Sequence, residues 1–218
     1  MEVKYILKQD QLFNKKITTI QQLETIVGEP SELAKNKVIP SIDLHCQTFI
    51  SKSPFLVLST SDESGRCDTS PRGDLPGFVK VLNKTTLIIP ERPGNKRVDS
   101  MRNILVNPGV ALLFLIPGLG ETLRINGKAQ LIQDADILSQ MAVRGKEPLM
   151  AIAVEVEECF IHCAKAFKRS HLWNPDSWPA EQELPSAAKM LIEHAKLSND
   201  SLEDMRKRLE DGYVNRLY

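Results

Sequence analysis

The sequence predicts a mainly β fold, an antiparallel barrel with helices at its N- and C-terminal sides. Three observations lead there. Between Pro54 and Ile161 short β-rich runs follow one another, Gly, Pro and Asn-containing turns separate them, and the N-terminal quarter and the tail read as helical. With 218 residues the chain fits one domain with terminal decoration and can bury a substantial core.

The N-terminal part reads as helical. Thr18 or Thr19 can cap a helix over ITTIQQLETIV, which Gly28 stops and Pro30 keeps from resuming. A second helix is expected from Pro40, at a first-turn position, to about Ser51, with Ile42, Cys46, Phe49 and Ile50 on one face. Residues 1–53 are thus expected to form a helical extension packed on the barrel.

The strand candidates are FLVLST, the stretch around CDTSPR, FVKVLN, TTLIIP, GVALLFLIP, ETLRINGKAQLI and LMAIAVEVEECFI. SDESG and the Asn83-Lys84 pair are hairpin signals, which makes neighbouring strands antiparallel. A short helix is expected over VDSMRNILVN, with Asp99 in its first turn and Val98, Met101 and Leu105 sharing a face; another starts at Asp134. Residues 174–218 form a C-terminal tail with two polar helical patterns, SAAKMLIEHAKL and SLEDMRKRLEDG.

Charge excludes several functions. Lys and Arg number 28 and Asp and Glu 28, so no global field draws the chain to nucleic acid or to an anionic membrane, and neither is expected as a partner. No apolar run approaches the ~20 residues that span a bilayer, and MEVKYILKQD lacks the core and cleavage site of a leader, so a cytoplasmic protein is expected. Cys46, Cys67, Cys159 and Cys163 form no CxxC pair, which argues against a disulfide framework or a zinc site; most are expected to be reduced and buried. His162 beside Cys163 has no further ligand at metal spacing, and no metal is expected.

Two segments carry candidate chemistry. PERPGNKRVDSMRNI sets Arg92, Lys96 and Arg97 around Gly94 between a strand and a helix, where backbone N–H groups and basic side chains can hold a phosphate. The alternative is a solvated turn whose charges pair with Glu91 and Asp99. In CDTSPRGDLPGF, Ser70 and Arg72 fall on one face of an extended chain. A hydroxyl and an arginine suit the hydrogen-bonding edge of a flavin ring, where negative charge gathers on reduction. The alternative pairs Arg72 with Asp74 and leaves Ser70 opening a turn at Pro71.

SPRGDLPGFVKV, then TTLIIPERPGNKRVDSMRNILVNPGVALLFLIPG, then ETLRINGKAQL resemble, in words and in order, the pyridoxamine 5'-phosphate oxidase-like family, over roughly Pro54 to Trp173. The resemblance implies an FMN-binding split β-barrel of antiparallel Greek-key type over residues 54–173, and a homodimer with FMN at the interface. By it, Ser70 and Arg72 border the isoalloxazine, Asn95, Lys96 and Arg97 hold the phosphate with Arg92 nearby, and Thr122 and Arg124 lie on a facing strand near the interface. CFIHCAKAFKRSHLWNP is also similar to this group, which implies that Arg169 and Trp173 complete the site, alongside His162, Cys163, Lys165 and Ser170. The recognisable C-terminal ending of the true pyridoxamine phosphate oxidases is missing. The implied activity is hydride transfer between flavin N5 and a small-molecule substrate, with no catalytic acid or base identified; the alternative is a barrel that binds flavin or haem without turnover.

Overall fold

The computed structural model describes residues 12–197 and 200–218; the leader reading at MEVKYILKQD falls outside them. The chain divides into two units, Met1–Lys37 and Val38–Tyr218.

In the first unit, Thr19 caps helix α1 (Ile20–Val27) by accepting the Gln22 N–H, and Gly28, at φ 74°, ends it, as the sequence predicts. Ser31 caps a second short helix, α2 (Glu32–Asn36), through the Ala34 N–H.

The second unit begins with helix α3 (Leu44–Lys52). The expected start at Pro40 is corrected, because Asp43 caps the helix by accepting the Cys46 N–H. A carboxylate that satisfies an orphan donor sets the boundary more strongly than a fixed proline φ. The hydrogen bond donated by the Cys46 N–H also holds the Asp43 carboxyl below its ordinary range. Cys46 and Ile50 turn into the core.

Seven strands follow: β1 (Phe55–Ser61), β2 (Cys67–Gly73), β3 (Lys80–Asn83), β4 (Thr86–Pro90), β5 (Gly109–Leu115), β6 (Thr122–Ile132) and β7 (Ala151–His162). They form one antiparallel sheet in the order β2-β1-β5-β6-β7-β4-β3. The sheet is not closed, so β2 and β3 are its edges. Both hairpin signals are met: Asp62 and Gly65 turn β1 into β2, and Asn83 turns β3 into β4 by accepting the Thr85 N–H.

Alternation builds the core. In β1 and β5 every second residue is buried, sending Leu56, Leu58 and Thr60 from one strand and Val110, Leu112 and Phe114 from the other to the same side. Ile42, Ile50, Leu87, Ile89, Leu123, Ile125, Ile152 and Val154 complete that core. At Asn126/Gly127 the β6–β7 register shifts, a β-bulge at which Gly127 lies against the Glu155 backbone.

Helix α4 (Asp99–Val106) lies against β1 and β2. Three side-chain bonds fix it: Ser100 Oγ donates to Asp68 Oδ2 (2.7 Å), Asn103 Nδ2 to Thr60 Oγ1 (3.0 Å) and Asn107 Nδ2 to Ser61 Oγ (2.9 Å). Its buried face is Ser100, Met101 and Ile104; the expectation for Leu105 is corrected, since Leu105 is 72 % exposed. The polar anchors turn the helix so that Ile104, not Leu105, meets the sheet.

Beyond β6 come α5 (Ala135–Ser139), preceded by Asp134 without a side-chain capping bond, then α6 (Lys165–Ser170), α7 (Ala187–His194) and α8 (Leu202–Asn215). The last two match the polar helical patterns of the tail and pack on one another. The cysteine expectation holds for half the set: Cys46 and Cys159 are buried with their Sγ atoms 3.2 Å apart, while Cys67 and Cys163 are exposed, and all four are free thiols. Cys67 is an exposed position of edge strand β2, and Cys163 just follows β7. Among the described residues no helix is long and apolar enough to cross a membrane, and no cluster of three or more metal-ligating side chains occurs.

Candidate functional site

A cleft of about 480 Å³ opens between β2, the segment after β4 and the start of α4. This falls in the range of small-molecule sites. Its wall from β2 follows from strand alternation: Asp68, Ser70 and Arg72 are the half-buried positions of a strand whose odd-numbered residues are exposed. Phe78, Pro71, Pro90 and Pro93 add apolar surface, and Glu91, Arg92, Gly94, Asn95, Arg97, Asp99 and Ser100 supply the polar rim.

Three arginines line the cleft, and each has a carboxylate. Arg72 is ion-paired with Glu91, Arg92 Nε donates to Asp74 Oδ2 at 2.7 Å, and Arg97 is ion-paired with Asp99. Arg72 therefore does not pair with Asp74, the alternative its sequence neighbourhood offered; Asp74 is taken by Arg92. The first two pairs are shielded, with Arg72 12 % and Asp74 1 % exposed, while Arg97 and Asp99 lie at the surface. The Asp99 bond raises the Arg97 pKa, and Arg97 in turn lowers that of Asp99.

One polar atom is left over. Arg72 Nε is buried and has no hydrogen-bond partner among the described residues, although Nη1 reaches Glu91 and Nη2 lies 3.7 Å from Met101 Sδ. A buried unsatisfied donor costs roughly 1–3 kcal/mol. In a cleft wall, such a donor matches an acceptor on a bound molecule.

The basic turn is only partly pre-set for an anion. Asn95 Oδ1 accepts the Arg97 N–H at 2.9 Å, which removes one backbone donor from use. Val98 gives α4 no side-chain cap, and this helix start, whose Asp99 and Ser100 line the cleft, retains its dipole. A Cβ at Gly94 would meet nothing within 4 Å, so no close protein packing demands glycine there.

The predicted residues divide into two groups. Ser70, Arg72, Arg92, Asn95 and Arg97 line the same cleft. Lys96 does not line it; it is exposed and held at φ 63°. Thr122 is buried on β6, and Arg124 is exposed on the same strand with its guanidinium 5.6 Å from the Phe160 ring centre. Trp173 stacks on Phe167 at 5.5 Å and donates its indole N–H to the Leu119 carbonyl at 2.9 Å. With His171 and Lys168 it lines a separate hollow, and Arg169 is exposed on α6. Asp68 and Ser100 are cleft residues that sequence reasoning missed. The signal for Asp68 was present, since it lies two residues before Ser70 on the same strand face.

Residues 42–163 match the family described as Pyridoxamine 5'-phosphate oxidase. The chain belongs to this family. The match contains the whole cleft and the sheet that carries it. No curated protein matches the chain. Among solved structures, HupZ from Group A Streptococcus is similar at 20 % identity, over 55 % of this chain and 93 % of that one, with a TM-score of 0.43. An FMN-binding protein from Syntrophomonas wolfei is similar at 11 % identity, over 54 % and 88 %, TM-score 0.41. HutZ, the heme storage protein from Vibrio cholerae, is similar at 16 % identity, over 56 % and 93 %, TM-score 0.41.

Proposed function

We propose that this member of the pyridoxamine 5'-phosphate oxidase family is an FMN-dependent oxidoreductase acting on a small organic molecule, with FMN in the cleft between β2 and α4. The observation that carries this reading is the buried, unpartnered Nε of Arg72 in the cleft wall. An arginine with an unpartnered donor, in the cleft wall beside Ser70, suits the acceptor edge of the isoalloxazine, and Phe78 with three prolines suits its apolar faces. Arg97, at the helix start, is the phosphate anchor, with Arg92 and Asn95 beside it. When bound, FMN supplies hydride exchange at N5. Arg72 sets a fixed positive charge and a donor against the ring edge that becomes electron-rich, which favours that state without any protein proton transfer.

A homodimer is part of the proposal. The outward face of the sheet presents a row across four strands, with Val57 opposite Leu113, Leu113 opposite Arg124, and Arg124 opposite Phe160. Apolar side chains half-exposed in the middle of a sheet suit a self-complementary two-fold contact. Such a contact would let Arg124, Lys96, Arg169 and Trp173 approach a partner's cleft rather than their own, whereas Thr122 is buried and would act only as support for β6. A haem bound in place of FMN would need an axial ligand, and no histidine or cysteine is among the described residues that line the cleft.

The test is purification without added cofactor, followed by absorption spectroscopy and identification of the released ligand. Flavin bands, bleached anaerobically by NADH, NADPH or dithionite, are expected. A colourless protein that takes up no added FMN overturns the reading, and flavin that no physiological donor reduces overturns the catalytic part. Sedimentation is expected to give a dimer.

A further inference from the structure

The segment after α8 returns to Asp74, behind the cleft residue Arg92. Tyr218 donates its hydroxyl to Asp74 Oδ1 at 2.7 Å, and the other oxygen of that carboxylate holds Arg92 Nε, also at 2.7 Å. Two guanidiniums lie over the Tyr218 ring, Arg92 Cζ 5.9 Å and Arg144 Cζ 5.3 Å from its centre. Lys146 Nζ donates to the Tyr218 carbonyl oxygen at 2.8 Å.

The receiving turn is shaped for this contact. Val143 and Lys146 exchange backbone hydrogen bonds across a two-residue loop, with Arg144 at φ 53° and Gly145 at φ 75°. Two consecutive left-handed residues define a tight type I′ connection. Glycine takes that conformation freely, whereas arginine carries a steric penalty. At this position Arg144 and Lys146 meet the same tyrosine from its ring and its backbone.

We propose that Tyr218 is a positioning residue for the cleft, a clamp that fixes the Arg92 guanidinium through Asp74 and through its own ring. This rests on the reading of the cleft as an FMN site. Arg92 lines the cleft, whereas Tyr218 does not, so Tyr218 acts on a ligand only through Arg92. Asp74 is almost fully shielded and has its carboxylate filled by the Arg92 side chain, the Tyr218 hydroxyl and the Leu75 N–H. Without the tyrosine, Arg92 loses the ring beside its guanidinium and keeps only the bond to Asp74, and one Asp74 oxygen loses a donor.

The experiment is a double-mutant cycle on FMN affinity, followed by quenching of flavin fluorescence, with Tyr218→Phe, Tyr218→Ala, Arg92→Ala and the Tyr218→Ala/Arg92→Ala double variant. Tyr218→Ala is expected to weaken FMN on the order of tenfold, and Tyr218→Phe, which keeps the ring beside both arginines, by less. The double variant is expected to bind no more weakly than Arg92→Ala alone. Wild-type affinity in Tyr218→Ala, or losses that multiply in the double variant, overturns the clamp. The same cycle is read as thermal midpoints of the cofactor-free proteins. A wild type that takes up no FMN overturns the cofactor reading on its own, and the thermal cycle still decides the contact: non-additive midpoints support it, additive ones overturn it.

Discussion

Arg72 and Glu91 are ion-paired across the cleft, one from strand β2 and one from the residue just past β4, while the Nε of the same arginine is buried without a partner among the described residues. Glu91 thereby holds the guanidinium through Nη1, and Nε is the donor that the proposed flavin contact would use. Removing the arginine would strand a half-shielded carboxylate, so loss of folding would confuse the result. Arg72→Lys keeps the charge and loses the fork. Its thermal midpoint is expected to stay near the wild-type value, while FMN affinity falls on the order of tenfold through the lost charge-assisted bond. Equal FMN titration curves for the two proteins would remove Arg72 from the site.

Arg97 is the proposed phosphate anchor, yet its guanidinium is engaged by Asp99 two residues away. A phosphate and Asp99 compete for one cation. Asp99→Asn is therefore expected to tighten FMN, and to do so more at low ionic strength, because both groups are exposed and screened by salt. The change also removes a favourable charge from the first turn of α4, so a slight loss of stability accompanies the gain in binding. Affinity measured at two salt concentrations checks both signs.

The β-rich part was legible because its signals are local. Every strand candidate matched a strand within a few residues, since alternation and turn residues act over short distances, and Ser70 and Arg72 share a face for the same reason. Contacts between distant segments were not legible. The partner of Arg72 is Glu91 and not nearby Asp74, because the chain brings the end of β4 beside β2 although the two strands lie towards opposite edges of the sheet. Likewise, nothing local tied Tyr218 to Asp74, 144 residues earlier. Leu105 was misplaced because periodicity alone cannot set a helix's rotation, which Ser100, Asn103 and Asn107 fix through polar anchors.

Gly127 is required by space and not by backbone freedom. A Cβ there would lie 2.0 Å from the Glu155 carbonyl oxygen and 3.2 Å from Val156 Cα, both rigid parts of β7. Gly127→Ala must push the central β6–β7 pair apart at its bulge. The expected cost is about 3 kcal/mol or more, read by urea denaturation, and it is expected to appear without any change at the cleft residues. Gly94→Ala is the contrast, since its added methyl meets open space and stability is expected to hold.

The Asp74–Tyr218 contact makes stability depend on pH at both ends of the scale. Burial pushes the Asp74 carboxyl up, but the donors from Tyr218, Leu75 and Arg92 outweigh it and hold the pKa below its ordinary 3.8. A depressed carboxylate pKa adds stability that is present above 3.8 and is lost as pH falls through the lower folded value. Tyr218 runs the other way: the bond to Asp74, then burial, raise its pKa above the ordinary 10.0, so its contribution is complete below pH 10 and is lost as pH rises through the folded value. Thermal midpoints of wild type and Tyr218→Phe are therefore expected to differ most at neutral pH and to converge in strong alkali, where the phenolate repels Asp74. Asp74→Asn is expected to converge with wild type at the acid end instead. Midpoint differences that stay constant from acid to alkali would show that ionisation of this pair contributes nothing to stability.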